Sequence, residues 1–334
     1  MTREYDTSPE VALQDWLNTA EYEKSEETVK NYRVLANHLR EFCEQKGIET
    51  LGELDGRALL EFKVWRSQDV ARSTLSNYLA CLRVFVRYCQ QVEIVPDGLV
   101  DRVPEVRGSK EARDEKLGQE EAQAVLDHLS KFEYASRRHA TFALVWNTAL
   151  RTGAVHSLDV EDFHPDEQYV TLRHRPDRDT PLKNGEQSER EVNLSADVTE
   201  VLEDYLEHQR LEKTDEHGRE PLITTSAGRA SKSAIARSLA SVTRPCFYAG
   251  ECPVDRTKEE CEAGTSVNKS AKCPESRTGH PIRRGSITHH LNAEVPKAVV
   301  SDRCDVSTDV LTRHYDRQTQ EEKRNLRKEY LDGL

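Results

Sequence analysis

The sequence predicts a multidomain, mainly α-helical protein, in which an all-helical N-terminal domain precedes a C-terminal mixed α/β domain with a small antiparallel sheet. Two patterns support this prediction. Apolar residues recur at helical spacing up to about residue 105. Beyond a charged segment, short β-branched runs stand between further helical segments. A chain of 334 residues is long enough to bury two cores.

The N-terminal domain is predicted as a compact module of four or five helices between residues 8 and 105. Ser25 can cap the second helix and Gly47 can end it, because serine suits the first position and glycine the last. A later helix begins near Ser73 and carries apolar residues on one face.

Basic side chains lie on the polar faces of these helices. They are Lys30, Arg33, Arg66, Arg72, Arg83 and Arg87. Such a set can follow a DNA backbone by contacting successive phosphates. The same residues fit ordinary solvated helix faces, and the sequence alone does not separate these two interpretations.

A charged segment that contains Pro104 and Gly108 divides the two predicted domains. Its composition and lack of periodicity suit a linker. We therefore predict a helical domain over residues 1–107, a linker over 108–116 and a second domain over 117–334.

The second domain is predicted to open with two helices, followed by strands near Phe163, over Tyr169–Leu172 and over Arg190–Leu194. The last two strands form a hairpin with a long charged tip. Helices are also predicted after Ser195, from Ser231 to Val242, from Pro281 and from Gln318.

The acidic composition at first argues against a nucleic-acid partner. The formal net charge is −12, from 60 acidic and 48 basic residues, whereas DNA binding depends on Lys and Arg that neutralise phosphates. However, the acidic residues are spread along the chain, arginine outnumbers lysine and only one methionine is present. This pattern is typical of proteins from halophilic archaea, whose surface carboxylates maintain solubility at high salt. An ordinary acidic cytosolic protein is the alternative.

No apolar segment approaches the length of a membrane-spanning helix, and no apolar run follows the first residues. We therefore expect a cytoplasmic protein without a membrane partner. Cys43, Cys81 and Cys89 fall in helical patterns, and disulfides are not expected in a reducing compartment.

The chemistry is concentrated in the pattern His280-x-x-Arg283, at the start of a predicted helix, and in Tyr315 further along. Side chains at i and i+3 share a helix face, so this histidine and arginine can bind the same phosphate. A tyrosine can act as a nucleophile and hold a covalent intermediate. Upstream, Arg151 stands at a helix-to-loop transition and Lys183 at a hairpin turn.

These five residues, in this order, resemble the catalytic set of the tyrosine recombinases of the phage-integrase and Xer type. The resemblance covers nearly the whole chain and implies a SAM-like, core-binding N-terminal domain and a tyrosine-recombinase catalytic domain. It implies that Arg151 and Arg283 stabilise a phosphorane, that Lys183 is the general acid and that His280 assists proton transfer. Tyr315 would form a 3′-phosphotyrosyl bond, with no cofactor for catalysis.

Two positions depart from the family pattern. The family usually has a histidine or tryptophan before the tyrosine. Alignment on Val306 places Arg303 at that position. Arginine can still donate a hydrogen bond to phosphate, so Arg303 joins the predicted catalytic set. The family's acidic residue three positions after the first arginine is Ala154, which is expected to weaken the support of Arg151. The hairpin of Lys183 also contains other basic residues: Arg173, Arg175 and Arg178.

Residues 246–273 read as an insertion rich in Cys, Pro, Gly and charge. A structural zinc ion held by four thiolates would fold such a segment, which lacks an apolar core of its own. The thiolates would come from Cys246, Cys252, Cys261 and Cys273. Their spacing is not that of two C-x-x-C pairs, so four unconnected reduced cysteines are an equal alternative.

The sequence therefore predicts a site-specific DNA recombinase or integrase that acts through a Holliday junction, as a homotetramer on specific double-stranded DNA sites. Its last helix, with Leu326, Tyr330 and Leu331 on one face, would dock on a neighbouring protomer or pack on its own domain. A DNA-binding regulator that has lost catalysis and a type IB topoisomerase are the alternatives.

Overall fold

A computed structural model describes residues 5–106, 115–257 and 260–315. For residues 313–315 it describes the helical backbone alone. The chain forms two compact units, Met1–Arg113 and Asp114–Leu334. Most of the predicted linker lies outside the described residues, so the predicted domain boundaries stay predictions. Across the described ranges, every helix is too short or too polar to cross a membrane.

The first unit is all-helical where it is described. Its α-helices are α1 (Pro9–Glu23), α2 (Glu26–Lys46), α3 (Gly56–Ser67) and α4 (Arg72–Gln91). Ser25 precedes α2 as its N-cap residue, and Gly47 ends it with a φ of 66°, a left-handed conformation that glycine adopts without steric cost. Trp16 stacks on Tyr32 in the centre, with ring centroids 4.4 Å apart. The predicted helical module is confirmed.

The second unit mixes helices with short strands, as predicted. Its α-helices are α5 (Gln119–Phe132), α6 (Arg137–Thr148), α7 (Thr152–Ser157), α8 (Ala196–Asp204), α9 (Lys232–Val242), α10 (Pro245–Tyr248), α11 (Gly279–Asn292), α12 (Lys297–Cys304) and α13 (Thr308–Tyr315). Its strands are β1 (Phe163–His164), β2 (Tyr169–Leu172), β3 (Arg190–Asn193), β4 (Thr224–Thr225) and β5 (Gly228–Arg229).

Strands β1, β2 and β3 form one antiparallel sheet in sequence order, and β4 and β5 form a separate ribbon. Val170 pairs with Val192 in the β2–β3 hairpin, which confirms the predicted pairing. The long connection between these strands carries Lys183. Next to it, the Leu182 amide donates to His174 Nδ1 at 2.9 Å, so the backbone before Lys183 is fixed.

A network of buried ion pairs anchors this connection. Its members are Asp159, Asp162, Asp215, Arg175, Arg219 and Arg229. From the network, Arg219 donates to the Arg178 carbonyl at 2.7 Å and to Thr180 Oγ1 at 2.9 Å. These three aspartates are therefore counter-ions inside the fold, unlike the surface carboxylates expected for a high-salt protein.

Helix α11 fits tightly against the rest of the second unit at two glycines. A Cβ added to Gly285 would lie 2.1 Å from the carbonyl oxygen of Leu117 and 3.1 Å from the Trp146 ring. At Gly279 it would lie 2.4 Å from Thr152 Oγ1. These close approaches fix the helix that begins with the H-x-x-R pattern.

Helix α13 is held by a small apolar cluster outside the main core. The members, each at most 1% exposed, are Ala149, Ile287, Val300, Cys304 and Leu311. They come from the end of α6 and from α11, α12 and α13. The cluster therefore anchors α13 one turn before Tyr315, its last residue.

The cysteine-rich segment 246–273 is irregular apart from the end of α10 and short 3₁₀ turns at Glu262–Gly264 and Val267–Lys272. Among its described residues, the buried ones are Ala263, Ser270 and Cys273. The described part of the segment thus has almost no apolar core.

Candidate active site

Arg151 lies where α6 gives way to α7. Ala149 closes α6 with a φ of 53°, and Arg151 is the N-cap residue of α7. Its guanidinium donates from Nη1 to the Asp305 carboxylate and from Nη2 to the Asp305 carbonyl at 2.7 Å. Two attachments to one residue fix the plane of the guanidinium.

Arg283 is the buried arginine of the site, with 4% of its surface exposed. Its Nη1 donates to the Ala149 carbonyl and its Nη2 to the Cys304 carbonyl, each at 2.6 Å. These carbonyls stand at the C-terminal ends of α6 and α12, where the helix dipoles are negative. The backbone therefore provides the stabilisation that a buried cation needs and holds Arg283 near Arg151.

His280 lies in the first turn of α11 and remains accessible to solvent. Partial burial lowers its pKa, and the positive charges of Arg284, Arg283, Lys183 and Arg151 lower it further. The geometry agrees with this: His280 precedes Arg283 by one turn of α11, Arg283 and Arg151 both donate to the Asp305 carbonyl, and Asn184, next to Lys183, donates to the Asp305 carboxylate. The structure thus brings Arg151, Lys183, His280 and Arg283 together and keeps the imidazole neutral at pH 7.

A carboxylate that the sequence did not indicate joins this cluster. Asp305 follows α12 in the left-handed conformation, with a φ of 48°. Ser188 Oγ donates to it at 2.8 Å and Asn184 Nδ2 at 3.1 Å. Burial alone would raise the pKa of Asp305, but the Ser188 hydrogen bond, the charge and hydrogen bond of Arg151 and the charge of Arg190 together lower it. The carboxylate is therefore ionised at neutral pH.

An open cavity of about 580 Å³ lies beside this cluster. Arg151, Arg190, Asp305, Ser307 and Val310 are among the residues that line it. Arg190, on β3, was missed because an isolated arginine in a strand carries no sequence signal. Burial lowers the pKa of Arg190, and the negative charge of Asp305 opposes that shift.

Comparison with known proteins places this site in a family. The model of the phage integrase family matches residues 115–322, and that of the phage integrase SAM-like domain matches residues 13–102. The chain belongs to the phage integrase family. The resemblance to tyrosine recombinases is thereby confirmed, together with the SAM-like N-terminal domain and the mixed α/β catalytic domain.

Solved structures of two integrases share the fold of this family member. The Tn1549 transposon integrase, in complex with a circular intermediate DNA, is 12% identical over 95% of this chain and 99% of that chain, with a TM-score of 0.71. A lambda integrase dimer bound to a COC′ core site is 12% identical over 94% of this chain and 97% of that chain, with a TM-score of 0.64. At these identities the likeness establishes the fold alone. A search of curated proteins finds no match.

In this phage integrase family member, Arg303 has different partners from the other predicted catalytic residues. Its Nη2 donates to the Asn147 carbonyl at 3.0 Å and contacts Asn147 Oδ1 at 3.3 Å. Helix α12 therefore places the guanidinium at the end of α6, whereas Arg151 and Arg283 both bond to Asp305. A catalytic role for Arg303 stays a prediction, and its described contacts are structural.

Tyr315 is the last residue of α13, and its side chain lies outside the described residues, as do Leu326, Tyr330 and Leu331. Ser307 and Val310, at the start of this helix, line the same cavity as Arg151. The helix that carries the predicted nucleophile thus begins at the cavity.

Most of the predicted DNA-contacting residues of the N-terminal domain have partners within that domain. The pairs are Lys30 with Glu26, Arg33 with Glu21, Arg83 with Val103, and Arg66 with the rings of Trp65 and Tyr78. Arg72 and Arg87 are exposed on α4 and have no partner in the described part of the chain. Contact with DNA stays a prediction for the whole set.

The four cysteines of the 246–273 segment differ in burial: Cys246 is exposed, Cys252 and Cys261 are half-buried, and Cys273 is buried. Burial raises the pKa of the Cys246 thiol, and the other three thiols act on it in the same direction. Within the described ranges, however, no three Cys, His, Asp or Glu side chains are arranged to hold a metal ion. The structural zinc stays a prediction.

Proposed function

We propose that this chain is a site-specific DNA recombinase that cleaves and rejoins strands through a 3′-phosphotyrosyl bond at Tyr315. The observation that carries the proposal is the convergence of Arg151, Lys183, His280 and Arg283 from distant parts of the chain. Cationic donors gathered around a neutral histidine suit a phosphodiester. Double-stranded DNA is the proposed partner, since both similar integrases were solved on DNA.

In the proposed cleavage step, the Tyr315 oxygen attacks the scissile phosphorus and the bond from phosphorus to the 5′ oxygen breaks. His280 accepts the phenolic proton, which its lowered pKa permits because the imidazole is neutral. Lys183 gives a proton to the departing 5′ oxygen. Arg151 and Arg283 stabilise the charge that accumulates on the non-bridging oxygens. Attack by a 5′ hydroxyl reverses these steps, so rejoining needs no ATP.

Lys183 is a better proton donor than the other basic residues of its hairpin. Arg175 is committed to the buried network and is only 14% exposed, and Arg173 lies 3.7 Å from Asp162. Lys183 is exposed, and its charge acts on His280. An ammonium also gives up its proton far more readily than a guanidinium.

We further propose that a homotetramer on two specific DNA sites exchanges strands through a Holliday junction, with the SAM-like domain contacting the duplex. The DNA-bound dimer of lambda integrase, which shares this fold, supports an assembly of several protomers on DNA. The acidic composition supports an origin at high salt, so the assays below are run over a range of salt concentrations.

A suicide-substrate assay tests the proposal. Nicked duplexes from the genomic neighbourhood of the gene are incubated with the wild type, with Tyr315→Phe and with Tyr22→Phe, a control at a tyrosine that is 96% exposed. We expect a covalent protein–DNA band in the wild type and the control, and none in Tyr315→Phe. Specific binding without that band would overturn the proposal in favour of a DNA-binding regulator. Relaxation of supercoiled DNA of any sequence would favour a type IB topoisomerase.

A further inference from the structure

We infer that Asp305 is a positioning residue for this reaction, which orients Arg151 and ties the Lys183 connection to the arginine pair. The inference rests on the proposed function of the site and adds to it a residue that sequence reasoning did not select.

Asp305 is the point at which three separate elements meet. Its carboxylate accepts hydrogen bonds from Arg151 at the start of α7, and from Asn184 and Ser188 in the β2–β3 connection. Its backbone carbonyl accepts from Arg151 at 2.7 Å and from Arg283 of α11 at 3.3 Å. One residue thus links both arginines with the connection that carries the proposed general acid.

The element that contains Arg151 provides no carboxylate of its own near the guanidinium. One helical turn further on, the residue is Ala154, which is 9% exposed and whose amide donates to the Arg151 carbonyl at 2.8 Å. Asp305 supplies the missing negative charge from a position 154 residues away in sequence. Its side chain is only 17% exposed, so solvent screens this pair less than a surface ion pair.

The ion pair leaves Arg151 able to bind a phosphate. A guanidinium has five N–H hydrogens. One hydrogen on Nη1 and one on Nη2 go to Asp305, and the other three have no partner among the residues that the structure describes. Asp305 and a phosphate can therefore occupy different edges of the same guanidinium. The two-point attachment fixes the edge that faces the phosphate, which is the pre-organisation that transition-state stabilisation requires.

The same carboxylate restrains the Lys183 connection. Asn184, the next residue, contacts both carboxylate oxygens, at 3.1 and 3.2 Å. Ser188 adds a bond of 2.8 Å from the other end of the turn. Both anchors follow Lys183 within five residues, so they restrain the backbone that carries it.

Asp305→Asn tests the inference with little change to the backbone. Asparagine tolerates the left-handed conformation, and the carbonyl contacts to both arginines are retained. With DNA already bound, we expect the rate of covalent complex formation to fall about 10- to 100-fold, with little change in DNA affinity. Adding Ala154→Glu, which places a carboxylate one turn from Arg151, should restore part of that rate. Asp302→Asn, which removes a charge from the last turn of α12, should retain a faster rate than Asp305→Asn.

Hydrogen exchange of the DNA-free protein gives an independent readout. We expect Asp305→Asn to raise amide exchange over residues 183–190, because Asn184 and Ser188 lose their ionised acceptor. Unchanged cleavage together with unchanged exchange would overturn the inference. Faster cleavage would also overturn it, since the carboxylate would then be competing with the phosphate. If the wild type forms no covalent complex, the proposed function fails, while the exchange measurement still tests the role of Asp305.

Discussion

Replacement of Gly285 by alanine inserts one methyl group where α11 touches the backbone of Leu117. The new Cβ would lie 2.1 Å from the Leu117 carbonyl oxygen and 3.1 Å from the Trp146 ring. Cβ contacts below 3.0 Å are essentially never seen, so α11 and Leu117 must separate by at least 0.9 Å. The oxygen belongs to the backbone, and a hydrogen bond of 3.2 Å from the Leu117 amide to the Pro281 carbonyl opposes the separation.

The two consequences of this methyl group differ in size. Overpacking of this kind costs about 1–3 kcal/mol, whereas alanine is better than glycine inside a helix by about 1 kcal/mol. We therefore expect the free energy of unfolding to fall by at most about 2 kcal/mol. The midpoint temperature of thermal unfolding should fall by roughly 2–4 °C for each kcal/mol. Since α11 also carries His280 and Arg283, a displacement near 1 Å should slow cleavage by on the order of 100-fold.

Calorimetry and single-turnover formation of the covalent complex measure these two effects. Gly153→Ala is the matched control for stability, because a Cβ there meets only the flexible end of Lys232, at 3.8 Å. We expect this control to unfold at or slightly above the wild-type temperature. If Gly285→Ala unfolds and cleaves like the wild type, the contact with Leu117 does not position α11 and the reasoning is refuted.

Three further predictions concern the ion network, the histidine and the cysteines. Asp159→Ala removes one of the two carboxylates that pair with Arg219 and Arg229, and Asp215 still pairs with both. It should therefore lower the free energy of unfolding by about 1–3 kcal/mol in urea titrations, whereas Glu26→Ala, at an exposed pair, should change it little. Partial burial and nearby cations lower the pKa of His280 below its usual 6.5, so the imidazole is neutral above that lowered pKa. The cleavage rate should therefore fall as the pH drops through the pKa of His280. A His280→Gln variant whose pH profile kept the same inflection would contradict the role of His280 as the proton acceptor. Metal analysis of protein purified without chelators should find about one zinc ion per chain. The zinc should be lost in Cys252→Ser and retained in the control Cys81→Ser. A wild-type protein without metal would favour the alternative of four unconnected reduced cysteines.

Local sequence patterns account for the elements that were predicted correctly. Ser25 and Gly47 bound α2 because serine is favoured just before the first turn of a helix and glycine, which has no Cβ, adopts the left-handed conformation that ends one. Two short strand-like runs on either side of a charged turn likewise predicted the β2–β3 hairpin, which needs only neighbouring segments to pair. The arrangement of Arg151, Lys183, His280 and Arg283 followed from family resemblance, since no local pattern relates residues so far apart.

The parts of the site that escaped prediction depend on contacts between distant segments. Asp305 reads as one more acidic residue in an acid-rich chain, and only the fold shows that its partner is Arg151. Arg303 was chosen by its order before the tyrosine; its described hydrogen bonds go to Asn147, which sequence order does not indicate, and its catalytic role stays a prediction. Asp159 fits a solvated surface in sequence and is 1% exposed in the structure. For Asp305 and Asp159 the direction of the side chain decides which arginines it pairs with, and sequence order alone does not contain that direction.

The position of the charges explains how an acidic chain can present a phosphate site. The net charge of −12 is spread over 334 residues, whereas four cations act together on His280. Exposed charges are screened beyond about 8 Å at physiological salt and about 3 Å at 1 M, so distant carboxylates have little influence on a phosphate in the cavity. Arg283 is buried and Arg151 is largely buried, so salt screens their field less. High salt should therefore weaken DNA contacts on the exposed helices of the N-terminal domain more than phosphate binding at the site.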